Sequence, residues 1–335
     1  MRYLDLLLSR RWLLLFALPL LAGCRPATPS TPSEKSDGLQ IVATTGMVAD
    51  LVQHVVGPRG TVRTLMSAGV DPHLYKPTTS DVADIQQADV VFYNGLGLEG
   101  PMQPVFQRAA DKGRRVIPVA GNLPDTAVHH SAQFAGHADP HVWMDVGLWA
   151  QCLDPIVDSL CEASPGHAAE FRANADAYRQ ELKALDDYAR TSIQTVPESQ
   201  RTLVTAHDAF SYFSKAYGIQ VKAVQGITTE SEPGVEDVNA LVNFLVETRI
   251  PALFVESSVS DRNLMAVLEG VSRHGGKVSI GGRLFSDAMG GEGTYEGTYV
   301  GMIDHNVTTI VRALGGQAPV RGFKGQLAES AAAAE

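Results

Sequence analysis

Cysteine is scarce in this chain: there are three in 335 residues, and no two are spaced as Cys-x-x-Cys. No zinc knuckle is therefore encoded. Cys152 and Cys161 stand nine residues apart in a stretch that reads as one helix. At a rise of 1.5 Å per residue a straight helix separates them by about 13 Å, too far for a disulfide. Two buried thiols are expected. Cationic side chains are also in short supply, 27 Lys and Arg against 37 Asp and Glu, for a net charge of −10. Residues 1–23 hold three Arg and one Asp, so their removal leaves −12. That balance argues against a nucleic-acid partner and suits a carrier of cations. Nor is there an apolar run of the roughly 20 residues that a bilayer span requires. Trp12–Leu21 supplies only ten.

What that short run does fit is an export leader. Arg2, Arg10 and Arg11 precede it, and Leu21-Ala22-Gly23-Cys24 closes it. The closing tetrapeptide resembles a bacterial lipoprotein cleavage box, in which Cys24 would be lipidated and become the new N-terminus. Ser9-Arg10-Arg11-Trp12-Leu13-Leu14 resembles a twin-arginine export signal, with an ordinary basic leader as the other reading. Residues 25–37 are rich in Pro, Ser and Thr and lack bulky apolar groups, so they cannot order themselves by burial. The sequence thus predicts a signal peptide over 1–23 and a disordered tether over 24–37. The protein would be exported and held by a lipid anchor at the outer face of a bacterial membrane, in a periplasm or at a cell surface.

The rest alternates between strand and helix patterns. β-Branched runs fall at Leu39–Thr44, Thr61–Met66, Asp89–Tyr93 and Arg115–Val119, with helical stretches near 46–57, 78–87 and 101–112. A second set falls at Thr202–Ala206, Gln220–Val224, Ala252–Glu256 and Lys277–Ile280, with helices near 208–217, 234–248, 261–274 and 297–314. This alternation predicts an α/β protein whose parallel sheets are covered on both faces. Between the sets, about 30 residues from His167 contain no Gly or Pro. Phe171, Ala175, Tyr178, Leu182, Leu185 and Ala189 recur there at helical spacing. Ser164-Pro165 begins this stretch and Pro197 stops it. One stiff helix over 166–196 is expected to join an N-terminal lobe, 38–165, to a C-terminal lobe, 197–316. Two shorter helices packed on one lobe are the other reading. Residues 317–335 read as a disordered tail.

Chemistry enters with a repeated tripeptide. Asp-Pro-His occurs at Asp71-Pro72-His73 and again at Asp139-Pro140-His141. His207 directly follows the run Leu203–Ala206, and Asp287 follows the last predicted strand through Gly281-Gly282. In open α/β sheets ligands bind beyond the carboxyl ends of strands. His73, His141, His207 and Asp287 all fall there, two from each half. Three imidazoles and a carboxylate are a donor set for a divalent transition metal. A ligating imidazole needs its other nitrogen held, often by a carboxylate, and Asp71 and Asp139 are placed for that or to cap their turns. Asp145 and Asp208 are weaker candidates, better read as helix caps. Glu256 is a strand-end carboxylate for the lobe interface. His54, His167, His274 and His305 fall on helices. His129, His130 and His137, with Asp125, could form an accessory metal-collecting patch.

These residues carry a family resemblance. Thr44-Thr45-Gly46-Met47 with Asp50, Gly69–His73 with Tyr75 and Pro77, and Asp139–Asp145 resemble the N-lobe signatures of the zinc/manganese-binding receptors that feed bacterial ATP-binding-cassette importers. Ala206–Phe210 with Tyr212-Phe213, Phe254–Ser257, and Gly281–Gly290 resemble its C-lobe signatures. The likeness covers about 38–316. It implies two lobes, each a four-stranded, mostly parallel sheet flanked by helices, joined by one long rigid backbone helix. It also implies metal buried between the lobes on His73, His141, His207 and Asp287. In the family a Glu at the third position is common among manganese carriers, so His207 points to the zinc or zinc/manganese branch. The loop before the second Asp-Pro-His is short here, whereas many zinc members carry a long His/Asp-rich one.

The expected function is that of a receptor, not an enzyme. It would capture Zn(II) as cargo, with Mn(II) as the second choice, and deliver it to a membrane permease. A monomer is expected. The rival readings are a zinc hydrolase, with Glu256 as the only base to nominate, and a surface adhesin. Zinc, manganese and iron are not separated by the sequence alone.

Overall fold

The computed structural model describes residues 38–130 and 136–328. The expected leader, Cys24 and the tether lie outside them. The first half builds one parallel sheet. β1 (Leu39–Ala43), β2 (Gly60–Thr64), β3 (Val90–Tyr93) and β4 (Arg115–Pro118) are ordered β2-β1-β3-β4. The chain returns between them through α1 (Gly46–Val56), α2 (Thr79–Gln87) and α3 (Gln103–Asp111). Val90 and Val91 are both fully buried, though they point to opposite faces, as expected of a strand covered on each side. Local signals set the helix ends. Thr78 and Asp81 form a reciprocal capping box at α2. Gly57, at φ +54, lets the chain leave α1.

α4 (Val146–Trp149) and α5 (Leu153–Ala163) lead to α6 (Ala168–Gln194), a single 27-residue helix. Pro165–His167 forms a tight turn before it, so the regular helix starts slightly later than its sequence signal. Its buried stripe is Phe171, Ala175, Tyr178, Leu182, Leu185, Ala189 and Ile193, spaced three and four apart. α6 packs on α1 and α5 of the first half and, further along, on α7 (Ser211–Tyr217) and α10 (Tyr299–Ala313) of the second. Each large apolar group in that stripe contributes about 1.5–3 kcal/mol by burial. Leu182→Ala, in mid-stripe, would cost about 2–5 kcal/mol. Cys152 is buried and Cys161 half-buried, and both are free thiols.

The second half comprises β5 (Thr202–His207), β6 (Gln220–Gln225), α8 (Val235–Thr248), β7 (Ala252–Glu256), α9 (Arg262–Arg273) and β8 (Ser279–Leu284), with α7 and α10. One continuous four-stranded sheet was expected. Instead the strand ladders fall into two parallel pairs, β5–β6 and β7–β8, with β5 and β7 adjacent. At the end of this seam the Glu256 carboxylate accepts the N–H groups of Ala206 and His207, at 2.7 and 2.9 Å. β8 also runs further than its sequence pattern indicated. Gly281 and Gly282 lie inside the strand, where the register shifts opposite Leu253 and Phe254. A Cβ at Gly281 would sit 2.7 Å from the Phe254 ring and 2.8 Å from Ala313 of α10, so the close packing at this bulge favours glycine.

The tail also departs from expectation. Residues 317–328 are docked, and 329–335 lie outside the described residues. Asp304, fully buried on α10, accepts the N–H groups of Phe323 and Lys324 at 2.8 and 3.4 Å. Phe323 packs on Tyr188 of α6 at 5.2 Å, and Leu327 is buried. A buried carboxylate requires donors, and the tail backbone provides them.

Candidate metal centre

The four sequence-selected residues converge. His73 lies in the loop after β2, and His141 opens the Val142–Met144 turn. His207 is the last residue of β5, and Asp287 lies three residues past β8. All are buried, and one ligand atom from each lies within 4.8 Å of the others. His73 Nε2 and His141 Nε2 are 3.3 Å apart. His141 Nε2 is 3.3 Å from Asp287 Oδ1, and His207 Nε2 is 3.2 Å from Asp287 Oδ2. A tetrahedral ion with bonds of about 2.0–2.1 Å would hold its donors about 3.3–3.4 Å apart. The spacing is that of a coordination sphere. His207 Nε2 and Asp287 Oδ1 make no aligned hydrogen bond although each faces an oppositely charged group at 3.2–3.3 Å, as expected of atoms aimed at a common point.

The far nitrogens of two rings are fixed. His141 Nδ1 faces Asp139 Oδ1 at 2.7 Å, and His207 Nδ1 faces Glu256 Oε2 at 2.6 Å. Both carboxylates are acceptors, so each ring donates from Nδ1 and turns Nε2 inward. Asp139 is itself held by the Ser211 hydroxyl, and Tyr212 donates to its backbone carbonyl. Asp71 does not follow the pattern. Its Oδ1 accepts the His73 backbone N–H at 2.8 Å, and its Oδ2 accepts the Thr229 hydroxyl at 2.5 Å. It closes the turn and ties the loop to the second half, but it does not hold the imidazole. A carboxylate shared with a hydroxyl from another segment cannot be read from a tripeptide. Asp145 caps α4 through the Leu148 N–H, as its sequence position indicated.

Charge divides the ligands further. Burial, aided by the nearby His141 and His207 against the pull of Asp287, pushes His73 down to about 3. Burial also opposes the charged form of His141, but Asp139 and then Asp287 outweigh it and hold that ring up at about 9. His207 is raised well above the ordinary range: burial opposes this, and Asp287 and Glu256 overcome it. Asp287 lies well below the carboxylate range, because His207 and His141 overcome its burial. His141 and His207 thus face the Asp287 carboxylate as an internal salt bridge.

The other histidines do not join it. His54 stacks on Tyr178 at 3.6 Å beside Asp50. His129 stacks on Tyr212 at 4.0 Å, and His130 meets Asp125 at 3.0 Å. Among the described residues, the four ligands form the one cluster of three or more His, Cys, Asp or Glu placed to share an ion. Residues 131–135 of the loop that carries His129, His130 and His137 lie outside the described residues. Thr229 and Ser211, which bond Asp71 and Asp139, and Asn306, which bonds the Phe285 backbone, carried no spacing signal in the sequence. Trp143, whose indole N–H bonds the Ser286 carbonyl at 2.9 Å, followed His141 in the family motif.

Comparison with known proteins gives a consistent answer. The profile of the family described as zinc-uptake complex component A, periplasmic, matches residues 41–313. The manganese-binding lipoprotein MntA of Bacillus subtilis is 44% identical over 300 residues, covering 90% of this chain and 97% of its own. The metal ABC transporter substrate-binding lipoprotein SsaB of Streptococcus sanguinis is 30% identical over 307 residues, covering 90% and 97%. The solved structure of the periplasmic zinc-binding protein TroA from Treponema pallidum is also similar. It superposes with a TM-score of 0.80 at 44% identity, covering 83% of this chain and 99% of that one. The α/β lobes, their long connecting helix and these matches together place the chain: it belongs to the zinc-uptake complex component A family of periplasmic metal-binding proteins.

Proposed function

We propose that this protein is the extracytoplasmic receptor of an ATP-binding-cassette importer, with His73, His141, His207 and Asp287 holding one divalent transition-metal ion. The observation that carries this reading is the set of four buried donor groups within 4.8 Å of one another, three of whose separations are 3.2–3.3 Å. Three neutral imidazoles and a carboxylate suit four-coordinate Zn(II), and the Irving–Williams order favours zinc over manganese on such a site. Both Asp287 oxygens face imidazoles, so a bidentate carboxylate would open the geometry that Mn(II) accepts. The names of the relatives point both ways, to zinc and to manganese. Lipidation at Cys24 would hold the receptor at the membrane beside its permease, which takes the ion as cargo.

The hydrolase reading loses its base. Glu256 is engaged by the His207 ring and by two backbone N–H groups. Four protein ligands also leave no open position for a catalytic water.

The test is competitive titration of the chelator-stripped fragment beginning after Cys24, with Zn(II) and Mn(II) at neutral pH. One equivalent of zinc that excess manganese does not displace supports a zinc receptor. Comparable binding of both makes manganese a second cargo. No tight binding of either refutes the site.

A further inference from the structure

Two residues before Asp287, the backbone of Phe285 leaves the β7–β8 ladder. The Leu284 carbonyl accepts the Ser257 N–H on the β7 side at 2.9 Å. Strand groups alternate in direction, so the N–H and C=O of Phe285 face the other edge of β8, where no strand pairs with it. Two neighbouring side chains from α10 meet that edge, His305 with Nε2 2.9 Å from the Arg283 carbonyl and Asn306 at Phe285. Asn306 Oδ1 accepts the Phe285 N–H at 2.9 Å, and Asn306 Nδ2 donates to the Phe285 carbonyl at 2.7 Å. Asn306 is 1% exposed, and both ends of its amide are used on one residue. The next peptide is held as well, by the Trp143 indole N–H on the Ser286 carbonyl. Ser258 reaches Ser286 Oγ at 3.1 Å, but it lies 3.5 Å from the Asp287 carboxylate, too far to fix it firmly.

We propose that Asn306 is a positioning residue for the Asp287 carboxylate, holding the last peptide of the unpaired edge of β8. The clamp fixes the strand end from which Asp287 projects, and so fixes both carboxylate oxygens between His141 and His207. This inference rests on the ligand role proposed for Asp287. Loss of the clamp frees the carboxylate to rotate between one-oxygen and two-oxygen contact. That rotation changes the preference between a four-coordinate ion and one that takes more ligands.

The experiment uses the fragment beginning after Cys24, as wild type, Asn306→Leu, Asn306→Asp and Thr308→Val. Thr308 lies on the same helix, and its hydroxyl bonds Asp304 and Tyr188 away from the metal centre. The readouts are Zn(II) and Mn(II) dissociation constants, the visible absorption of the Co(II)-loaded protein, and Tm without metal. Asn306→Leu is expected to weaken zinc binding by about 10–100-fold, the usual effect of losing a support behind a ligand. It should also change the Zn:Mn affinity ratio and alter the Co(II) spectrum. Asn306→Asp keeps the acceptor for the Phe285 N–H and should fall between wild type and Asn306→Leu. Thr308→Val should lower Tm and leave the metal readouts unchanged. Wild-type affinities and Co(II) spectrum in a folded Asn306→Leu protein would overturn the proposal. Equal shifts from Thr308→Val would do the same, because they would make the effect one of general stability. If Asn306→Leu does not fold, Asn306→Asp decides on the same criteria. A wild type that binds no metal would refute the proposed function itself, and this inference with it.

Discussion

In the Asp139-Pro140-His141 loop the aspartate bonds both the peptide N–H and the ring of its histidine, whereas in Asp71-Pro72-His73 it bonds the peptide N–H alone. The tripeptides are identical and their turns are alike, with Asp-to-N–H distances of 3.0 and 2.8 Å. Their surroundings differ. Asp139 is enclosed by Ser211 and Tyr212 and faces its own imidazole. Asp71 spends its second oxygen on Thr229. The rings consequently stand far apart in basicity, His141 at about 9 and His73 at about 3. His73 also borders a small cavity of about 50 Å³ lined by Leu96, Pro140, Ile227 and Glu230. A local motif thus sets a turn, and the tertiary neighbours decide the chemistry of its side chain.

The sharpest way to break this comparison is to replace each aspartate. Asp139→Ala removes the group that orients His141 and is expected to cost about 10–100-fold in zinc affinity. Asp71→Ala leaves its ring's hydrogen bonding unchanged and should cost much less. Chelator competition on the two variants measures both, and equal losses would dissolve the distinction. Glu256→Gln belongs with Asp139→Ala, since Glu256 holds the His207 ring in the same way.

Acidity sharpens the comparison next. A group with a raised pKa binds its proton throughout the neutral range, and metal must displace it. Zinc affinity should therefore rise with pH from neutrality until His141 deprotonates on its own, near 9, by about tenfold per pH unit for each proton displaced. His73 contributes nothing to that slope above about pH 4, because it is already neutral. The sequence pattern alone, with ordinary histidines, would place the loss of affinity only below about pH 6. Calorimetry in buffers of different ionisation enthalpy counts the protons released. In Asp139→Asn, which lacks the carboxylate that raises His141, the rise with pH should level off earlier. Release of no protons at pH 7 would contradict the assigned basicities.

The smallest effect belongs to Thr229→Val. It removes one hydrogen bond to Asp71, worth about 1 kcal/mol or roughly fivefold. It should speed zinc dissociation by no more than that, as read by stopped-flow exchange into a chelator. A larger change would mean that the link from the His73 loop to the second half holds the centre closed.

The four clustered residues were legible from the repeated Asp-Pro-His and from their place after strand patterns, His207 closing β5 and Asp287 standing three residues past β8, with His73 and His141 on the longer loops that follow β2 and β4. The 27-residue α6 was legible from the absence of Gly and Pro and from its apolar spacing. The rest was hidden because it depends on side chains that replace backbone. Glu256 takes two N–H groups at the end of β5, Asn306 holds Phe285 at the edge of β8, and Asp304 binds the tail. The last strand pattern stops at Ile280, yet β8 continues through Gly281-Gly282 as a bulged strand whose packing leaves little room for a Cβ. Asp71 and Asp139 could not be told apart, since their difference lies in Thr229 and Ser211, far away along the chain.

The central claim is that three imidazoles and one carboxylate surround the ion. Zinc K-edge X-ray absorption of the protein loaded with one equivalent tests it most directly. The account predicts nitrogen and oxygen neighbours at about 2.0–2.1 Å, with the outer-ring scattering of three imidazoles. Sulfur at about 2.3 Å, which would implicate Cys152 or Cys161, would contradict it. So would scattering from fewer than three imidazoles.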